Sequence, residues 1–78
     1  MLQAGIFHHQ LEEYPQAIEF YMRAEQLYNA RNQDNAELYY NMALTYLKLQ
    51  DSAAARRYAE KAYAAGYPLP GLKYLLGD

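Results

Sequence analysis

Apolar residues recur at helical spacing through the middle of the chain. Between residues 34 and 50 they fall at positions i, i+3, i+4, i+7 and i+10, which form one stripe of an amphipathic helix. That stripe contains Tyr39, Met42, Ala43, Tyr46 and Leu49. Polar residues at 50–52 interrupt it, and the apolar residues of a following helix are Ala55, Tyr58, Ala59, Ala62 and Tyr63. Because the connection is short and four of these residues are alanine, the pattern predicts two closely packed antiparallel helices.

Local signals mark the ends of this helical hairpin. Asp34 is the predicted N-cap of its first helix, and Glu37 stands three residues later, where it would complete a capping box. Asp51 or Ser52 would cap the second helix. Gly66 would end that helix in a left-handed conformation, and the proline at position 68 prevents its continuation.

Six hairpin residues have the type and spacing of a known repeat: Tyr39, Met42, Ala43, Tyr46, Ala55 and Ala62. In this pattern the hairpin resembles a tetratricopeptide repeat. Three positions depart from the family pattern, since Ser52 replaces the usual tyrosine, Ala59 replaces an aromatic residue, and Pro68 lies one residue late. The resemblance implies antiparallel helices stacked in an all-α fold.

An earlier repeat is predicted before the hairpin. Residues 2–11 form its first helix, in which Ala4-Gly5 takes the place of the Leu-Gly pair and His8 that of the following tyrosine. Met1 falls where the first aromatic residue of a repeat would stand. Either this repeat is degenerate, or the chain was cut from a longer array.

A second helix begins at Tyr14, because Pro15 suits a first helical turn. Its residues Ala17, Tyr21 and Ala24 precede Ala55, Ala59 and Ala62 by 38 positions each. The usual period is about 34 residues, and four extra residues make about one helical turn. The spacing therefore predicts a second helix extended to Arg31, with a turn at 32–34. A four-residue loop is the alternative.

The predicted fold is all-α, with antiparallel helix-turn-helix repeats in a single domain of residues 1–78. The first, N-terminally truncated repeat spans residues 1–31, and the second spans residues 34–66. A short C-terminal helix over residues 69–76, opened by Pro70, would either cap the last repeat or be the stub of a further one.

Composition excludes several classes of function. The 78 residues include no cysteine and carry a net charge of −2 with both signs interspersed, so we expect neither disulfides nor a nucleic-acid surface. The start of the chain does not have the pattern of a signal peptide, and no apolar run is long enough for membrane insertion. The compartment stays open, with the cytoplasm slightly favoured.

Catalytic and metal sites are not expected. His8 and His9 are adjacent and point about 100° apart on a helix, so they cannot chelate one metal ion together. We expect His8 to have a packing role. No cofactor motif and no nucleophile beside a base are found, so the chain is predicted not to be an enzyme. The basic residues Arg56, Arg57, Lys61 and Lys73 fit either a solvated face or a patch for an acidic partner.

In the tetratricopeptide family, the first helix of each repeat lines a concave groove that holds a peptide or a helix of a partner. The resemblance places in this groove Glu37, Tyr40, Asn41, Leu44, Leu47 and Lys48, and less directly Leu2, Ile6 and His9. One branch of the family binds a C-terminal carboxylate with Lys and Asn side chains. Asn41 matches that branch, but Leu2 and Ile6 stand where it needs Lys and Asn, so this ligand is not expected.

Tyr40, Leu44 and Leu47 form a second apolar stripe, offset from the Tyr39–Tyr46 stripe. Either a fifth helix or a neighbouring repeat covers it, or it is exposed and marks an interaction site. We therefore expect a protein-interaction module that binds a peptide or helix through an apolar, tyrosine-lined groove. The alternative is a self-assembly module that uses the same face in a homodimer.

Overall fold

The structure, a computed structural model, describes residues 2–67, and of Leu2 it describes only the backbone. This part of the chain contains α1 (Leu2–Gln10), α2 (Tyr14–Ala30), α3 (Ala36–Lys48) and α4 (Ser52–Ala64). α1 packs against α2 and α3 packs against α4, while α2 also packs against α3 and joins the two hairpins. None of these helices has the length and apolar character needed to cross a membrane.

The N-cap of α3 is Asn35, and the prediction of Asp34 is wrong. Asn35 has an extended backbone (φ −125°, ψ 103°), and its side chain accepts a hydrogen bond from the Leu38 amide at 3.0 Å. Asp34 lies one residue too early and instead accepts from the Tyr39 hydroxyl at 3.3 Å. With Asn35 as the cap, the third helical position is Leu38, so Glu37 cannot form the predicted capping box.

Asp51 caps α4, as predicted, and accepts a hydrogen bond from the Ala54 amide at 3.1 Å. The predicted extension of α2 is also present, although the helix ends at Ala30 and Arg31 is its C-cap. The extra residues are therefore helical and do not form the alternative loop.

All four described helices end with the same arrangement, a Schellman motif. After α4, the Gly66 amide donates to the Tyr63 carbonyl at 3.0 Å and the Tyr67 amide donates to the Ala62 carbonyl at 2.9 Å. Gly66 has a φ of +103°, as predicted for a residue that ends a helix. The corresponding residues after the other helices are not glycine, namely Glu12, Asn32 and Gln50, and their φ values lie between 54° and 62°.

The core lies between α2, α3 and α4. Its buried members are Ala17, Tyr21, Ala24, Leu38, Tyr39, Met42, Ala43, Tyr58, Ala59 and Ala62. Gly5 brings α1 close to this core, since a Cβ there would lie 2.6 Å from Cδ1 of the Tyr21 ring. Small residues therefore set the helix spacing, as the alanine pattern predicted.

Two residues assigned to the apolar stripes do not belong to the core. Leu49 is 39% exposed because it follows the last residue of α3, and Tyr63 is 54% exposed on the outer side of α4. Conversely, Leu38 and Thr45 are fully buried without having been predicted. α3 contacts helices on several sides, so its buried surface is wider than one stripe.

The hydroxyl of Tyr21 is buried and has no hydrogen-bond partner among residues 2–67. Burial raises the pKa of Tyr21, and the hydroxyl of Thr45 offsets part of that rise without reaching hydrogen-bond geometry.

The predicted helix at 69–76, with Pro70, and the stop at Pro68 lie outside the described residues. The division into two repeats and a C-terminal helix therefore stays a prediction.

Candidate functional site

The second apolar stripe follows one side of α3. Leu47 is 38% exposed, whereas Tyr40 and Leu44 are half-buried and pack against the core. The ring of Tyr40 also stacks on the ring of Tyr67, with 4.3 Å between the centroids and 13° between the planes. Within residues 2–67, the stripe is thus partly covered at the Tyr40 end and exposed at the Leu47 end.

Three polar residues of the predicted groove lie on the same helix. Glu37 and Lys48 are exposed near its two ends, so the helix carries opposite charges at its start and finish. Asn41 donates from Nδ2 to the Glu37 carbonyl at 2.9 Å. Its amide is therefore held against the backbone, and its side-chain oxygen is the part that can accept from a ligand.

His9 joins α1 to α3. Its Nδ1 lies 2.8 Å from Thr45 Oγ1, and the Thr45 hydroxyl donates to the Asn41 carbonyl at 2.8 Å. Because that hydroxyl has a single proton, the network assigns the donor role to His9 Nδ1. Burial, and then the charge of Lys48, lower the pKa of His9. His9 is therefore a neutral link between the two helices at pH 7.

The other two α1 residues of the predicted groove are less informative. Ile6 is half-buried and packs against the same core as Tyr40 and Leu44. The side chain of Leu2 lies outside the description. The structure thus connects His9 directly with α3 beside Asn41, and Ile6 only through the core. Thr45, which makes the direct connection, had no signal in the sequence other than a polar residue among the apolar positions of α3.

His8 has the expected packing role. Its ring is stacked on Phe20, with centroids 5.2 Å apart, and its Nδ1 lies 2.7 Å from Glu13 Oε1. No group of three metal-ligating side chains occurs within residues 2–67. The same stretch of chain contains no pocket.

Glu25 of α2 contacts the second hairpin and was not predicted. Its carboxylate accepts from the Tyr58 hydroxyl and from Lys61 Nζ, both at 3.0 Å. Burial, then the charge of Glu25 and this hydrogen bond, raise the pKa of Tyr58 to about 12. Lys61 also lies over the rings of Tyr39 and Tyr58. Lys61 therefore belongs to the contact between hairpins rather than to a separate basic patch.

The other predicted basic residues are occupied within α4. Arg56 pairs with Glu60 at 3.4 Å, and the guanidinium of Arg57 lies over the Tyr58 ring. Lys73 lies outside the described residues. These contacts fit a solvated face better than a patch for an acidic partner.

Comparison with protein families decides the identity. A family model described as tetratricopeptide repeat matches residues 1–66. The chain belongs to the tetratricopeptide repeat family. Comparison with curated proteins and with solved structures finds no match. The helical hairpins agree with the repeat fold, and tetratricopeptide repeats generally mediate protein–protein interactions and are typically not catalytic.

Proposed function

We propose that this tetratricopeptide chain binds a helical or extended segment of another protein on the face of α3 that carries Tyr40, Leu44 and Leu47. The exposure of Leu47 at the open end of this stripe is the observation that carries the proposal. An apolar side chain in that position loses contact with water when a partner covers it, which favours binding.

The partner's main apolar contact would be at the Leu44–Leu47 end. Tyr67 already covers part of Tyr40, so a ligand gains less by packing there. Lys48 and the free oxygen of Asn41 would orient the ligand, with Glu37 at the far end and Ile6 and His9 on the α1 side. Leu2 stays in the set as a sequence-based prediction.

Tyr40 and Leu44 are poor positions for a first test. Both pack against the core, so Leu44→Asp or Tyr40→Ala would lower stability as well as binding. Leu47 offers a cleaner variant because it makes its contribution at the surface.

The proposal is tested by selecting peptides from a random display library against the ¹⁵N-labelled chain and mapping the bound peptide by amide chemical shifts. We expect the shifts to cluster on α3 between residues 40 and 48 and around His9. Selected peptides that consistently shift only α2 or α4 would contradict the assignment of the face.

A homodimer through the same stripe is the second candidate, supported by the same exposed Leu47. The partial covering of Tyr40 favours the first, because it reduces the apolar area available to a dimer. Sedimentation velocity across a wide concentration range separates the two. A mass that stays monomeric supports binding of a foreign segment, and a dimer that dissociates on dilution and is lost in Leu47→Gln supports self-assembly.

A further inference from the structure

Lys48 is an exposed cation at the end of α3. Within the described part of the chain it makes no ion pair and no cation–π contact. Lys61, by contrast, is held by a carboxylate of α2 and lies over two tyrosine rings. Lys48 follows Leu44 by four residues and Thr45 by three, so these side chains are neighbours on the helix. A cation therefore borders the apolar stripe beside the exposed Leu47.

His9 brings a ring nitrogen to the same place. Its Nδ1 lies 2.8 Å from Thr45 Oγ1, one helical turn before Lys48. The other ring nitrogen, Nε2, makes no hydrogen bond within residues 2–67. In that range the hydroxyl oxygen of Tyr21 is the one buried side-chain nitrogen or oxygen without a partner. Nε2 of the half-buried His9 ring therefore reaches the surface.

The groups that face His9 from the neighbouring helices supply positive charge. Tyr14 of α2 packs edge-on against the ring with the centroids 5.2 Å apart, and α3 contributes Thr45 and Lys48. Glu13, which follows α1, is bound to the adjacent histidine. Burial, and then the charge of Lys48, lower the pKa of His9, and no carboxylate of the described residues adds to these effects. An anion placed here would relieve the repulsion between the two groups.

We propose that Lys48 and His9 together bind a carboxylate side chain, of aspartate or glutamate, in the partner segment that covers Leu47. Lys48 supplies a permanent charge. Nε2 of the neutral His9 is an acceptor, because Nδ1 holds the ring proton. When the carboxylate binds, Nε2 takes up one proton from the solvent and donates a charge-assisted hydrogen bond to the ligand. The carboxylate belongs to the segment bound on α3, so this site rests on the proposed function.

Proton uptake distinguishes a carboxylate from an uncharged ligand. An amide or hydroxyl would donate to the neutral Nε2, and protonation of His9 would then oppose binding. A carboxylate has the opposite effect, since it raises the pKa of His9, and binding strengthens as the pH falls toward about 6. The charge of Lys48 favours the carboxylate, because a cation attracts an anion more strongly than a neutral donor.

The test uses the C-terminally amidated peptide that binds α3 most tightly in the display selection, so that all of its carboxylates are side chains. We expect this peptide to contain an aspartate or glutamate. Replacing that residue with asparagine or glutamine should weaken binding about fivefold near pH 6. Titration calorimetry in two buffers with different ionisation enthalpies should show proton uptake for the acidic peptide and none for its amide version.

Three chain variants assign the effect to residues. Lys48→Gln should reduce the preference for the acidic peptide. Arg31→Gln removes an equal charge from the end of α2 and should leave the preference unchanged. His9→Asn keeps a donor for Thr45 but has no titrating nitrogen, so it should abolish the proton uptake. Circular dichroism and urea unfolding show whether each variant is folded, and the wild-type proton uptake tests the site without any variant.

The outcomes separate this site from the proposed function. Peptides that bind α3 but contain no acidic residue, equal affinities for the acidic and amide versions, or binding without proton uptake would overturn the carboxylate site and leave the α3 face intact. Selected peptides that never bind α3 would refute the proposed function, and the carboxylate site with it.

Discussion

Glu25 is the one charged residue that contacts the other hairpin through two hydrogen bonds in the described part of the chain. Its side chain is 13% exposed, whereas that of Lys61 is 46% exposed. The attraction to Lys61 is therefore weakened by solvent. The hydrogen bond from the buried Tyr58 hydroxyl contributes more to the contact between the hairpins. The protonated phenol is the form that donates this bond.

Tyr58 should make stability fall at high pH. Its pKa is raised from the ordinary value of 10 to about 12 in the folded chain, so the folded state holds its proton more tightly. The stabilisation that Tyr58 contributes is complete below pH 10 and is lost between pH 10 and about 12, because its phenol ionises first in the unfolded chain. Two pKa units correspond to at most roughly 3 kcal/mol.

Urea unfolding at a series of pH values measures this loss. Tyr58→Phe cannot ionise, so its unfolding free energy should fall less steeply above pH 10. Tyr21, Tyr39, Tyr46 and Tyr67 also have raised pKa values, and a residual slope in the variant is therefore expected. Identical slopes for the wild type and Tyr58→Phe would show that Tyr58 is not the group responsible.

Asn35 and Asp34 give a second test at the level of single residues. Asn35→Ala removes the cap bond to Leu38 and should lower the free energy of unfolding by about 1 kcal/mol. Asp34→Ala removes only a longer bond from Tyr39 and should cost less. Thermal unfolding of both variants measures the difference. A larger loss in Asp34→Ala would return the cap to Asp34.

The sequence could not choose between these neighbours. Asp and Asn are both good N-cap residues, and the choice depends on where the turn after α2 becomes extended. That turn contains Asn32 in a left-handed conformation, which local propensity alone does not place. The same ambiguity applied to α4, where Asp51 and Ser52 were both candidates and the structure gives Asp51 as the cap.

At the level of elements, the helix ends are a source of strain. Gln50 has a φ of 62° between α3 and α4, in the position that Gly66 holds after α4. A side chain costs roughly 1 kcal/mol in this region, whereas glycine adopts it without a steric penalty. The Schellman motif persists at Gln50 because the two backbone hydrogen bonds of the motif and the packing of α3 on α4 enforce it.

Gln50→Gly should therefore raise the free energy of unfolding by up to about 1 kcal/mol, less the entropy that glycine adds to the unfolded chain. Gly66→Ala should lower it, although nothing lies within 4 Å of the added Cβ, because the strain is in the backbone. Chemical denaturation of the two variants should give changes of opposite sign. A stability loss in Gln50→Gly would refute this account of the helix ends.

Most element positions followed from the sequence. The 3.6-residue period and the 38-residue offset located α2, α3 and α4, including the extra turn of α2. Periodicity failed at Leu49, which follows the last residue of α3, and at Tyr63, which lies on the outer side of α4. It also missed Leu38 and Thr45, whose burial depends on how α2 and α1 pack against α3.

For the whole molecule, the two hairpins have the same order of helices, but large and small side chains are distributed differently at equivalent core positions. Gly5 faces the Tyr21 ring in the first hairpin, and their counterparts 38 residues later are Ala43 and Ala59. The small Ala59, a departure from the family pattern, is fully buried. Each hairpin thus distributes its core volume differently while keeping the same helix order.

The candidate face was predictable only in part. Helical spacing brought Tyr40, Leu44 and Leu47 to one side of α3. The covering of Tyr40 by Tyr67 and the link from His9 to Thr45 depend on contacts between residues 27 and 36 positions apart. Contacts of that separation leave no periodic signal in a sequence, so the open end of the stripe could not be identified before the fold.

The matched pair Leu47→Gln and Leu49→Gln tests the central claim most directly. The two leucines are two residues apart and almost equally exposed, at 38% and 39%, but only Leu47 belongs to the proposed face. Isothermal titration with a library-selected peptide should show binding weakened by about fivefold in Leu47→Gln, since covering the exposed part of this leucine contributes roughly 1 kcal/mol. Leu49→Gln should bind as the wild type does. Equal affinities for the two variants, with both folded by circular dichroism, would contradict the assignment of this face as the partner-binding surface.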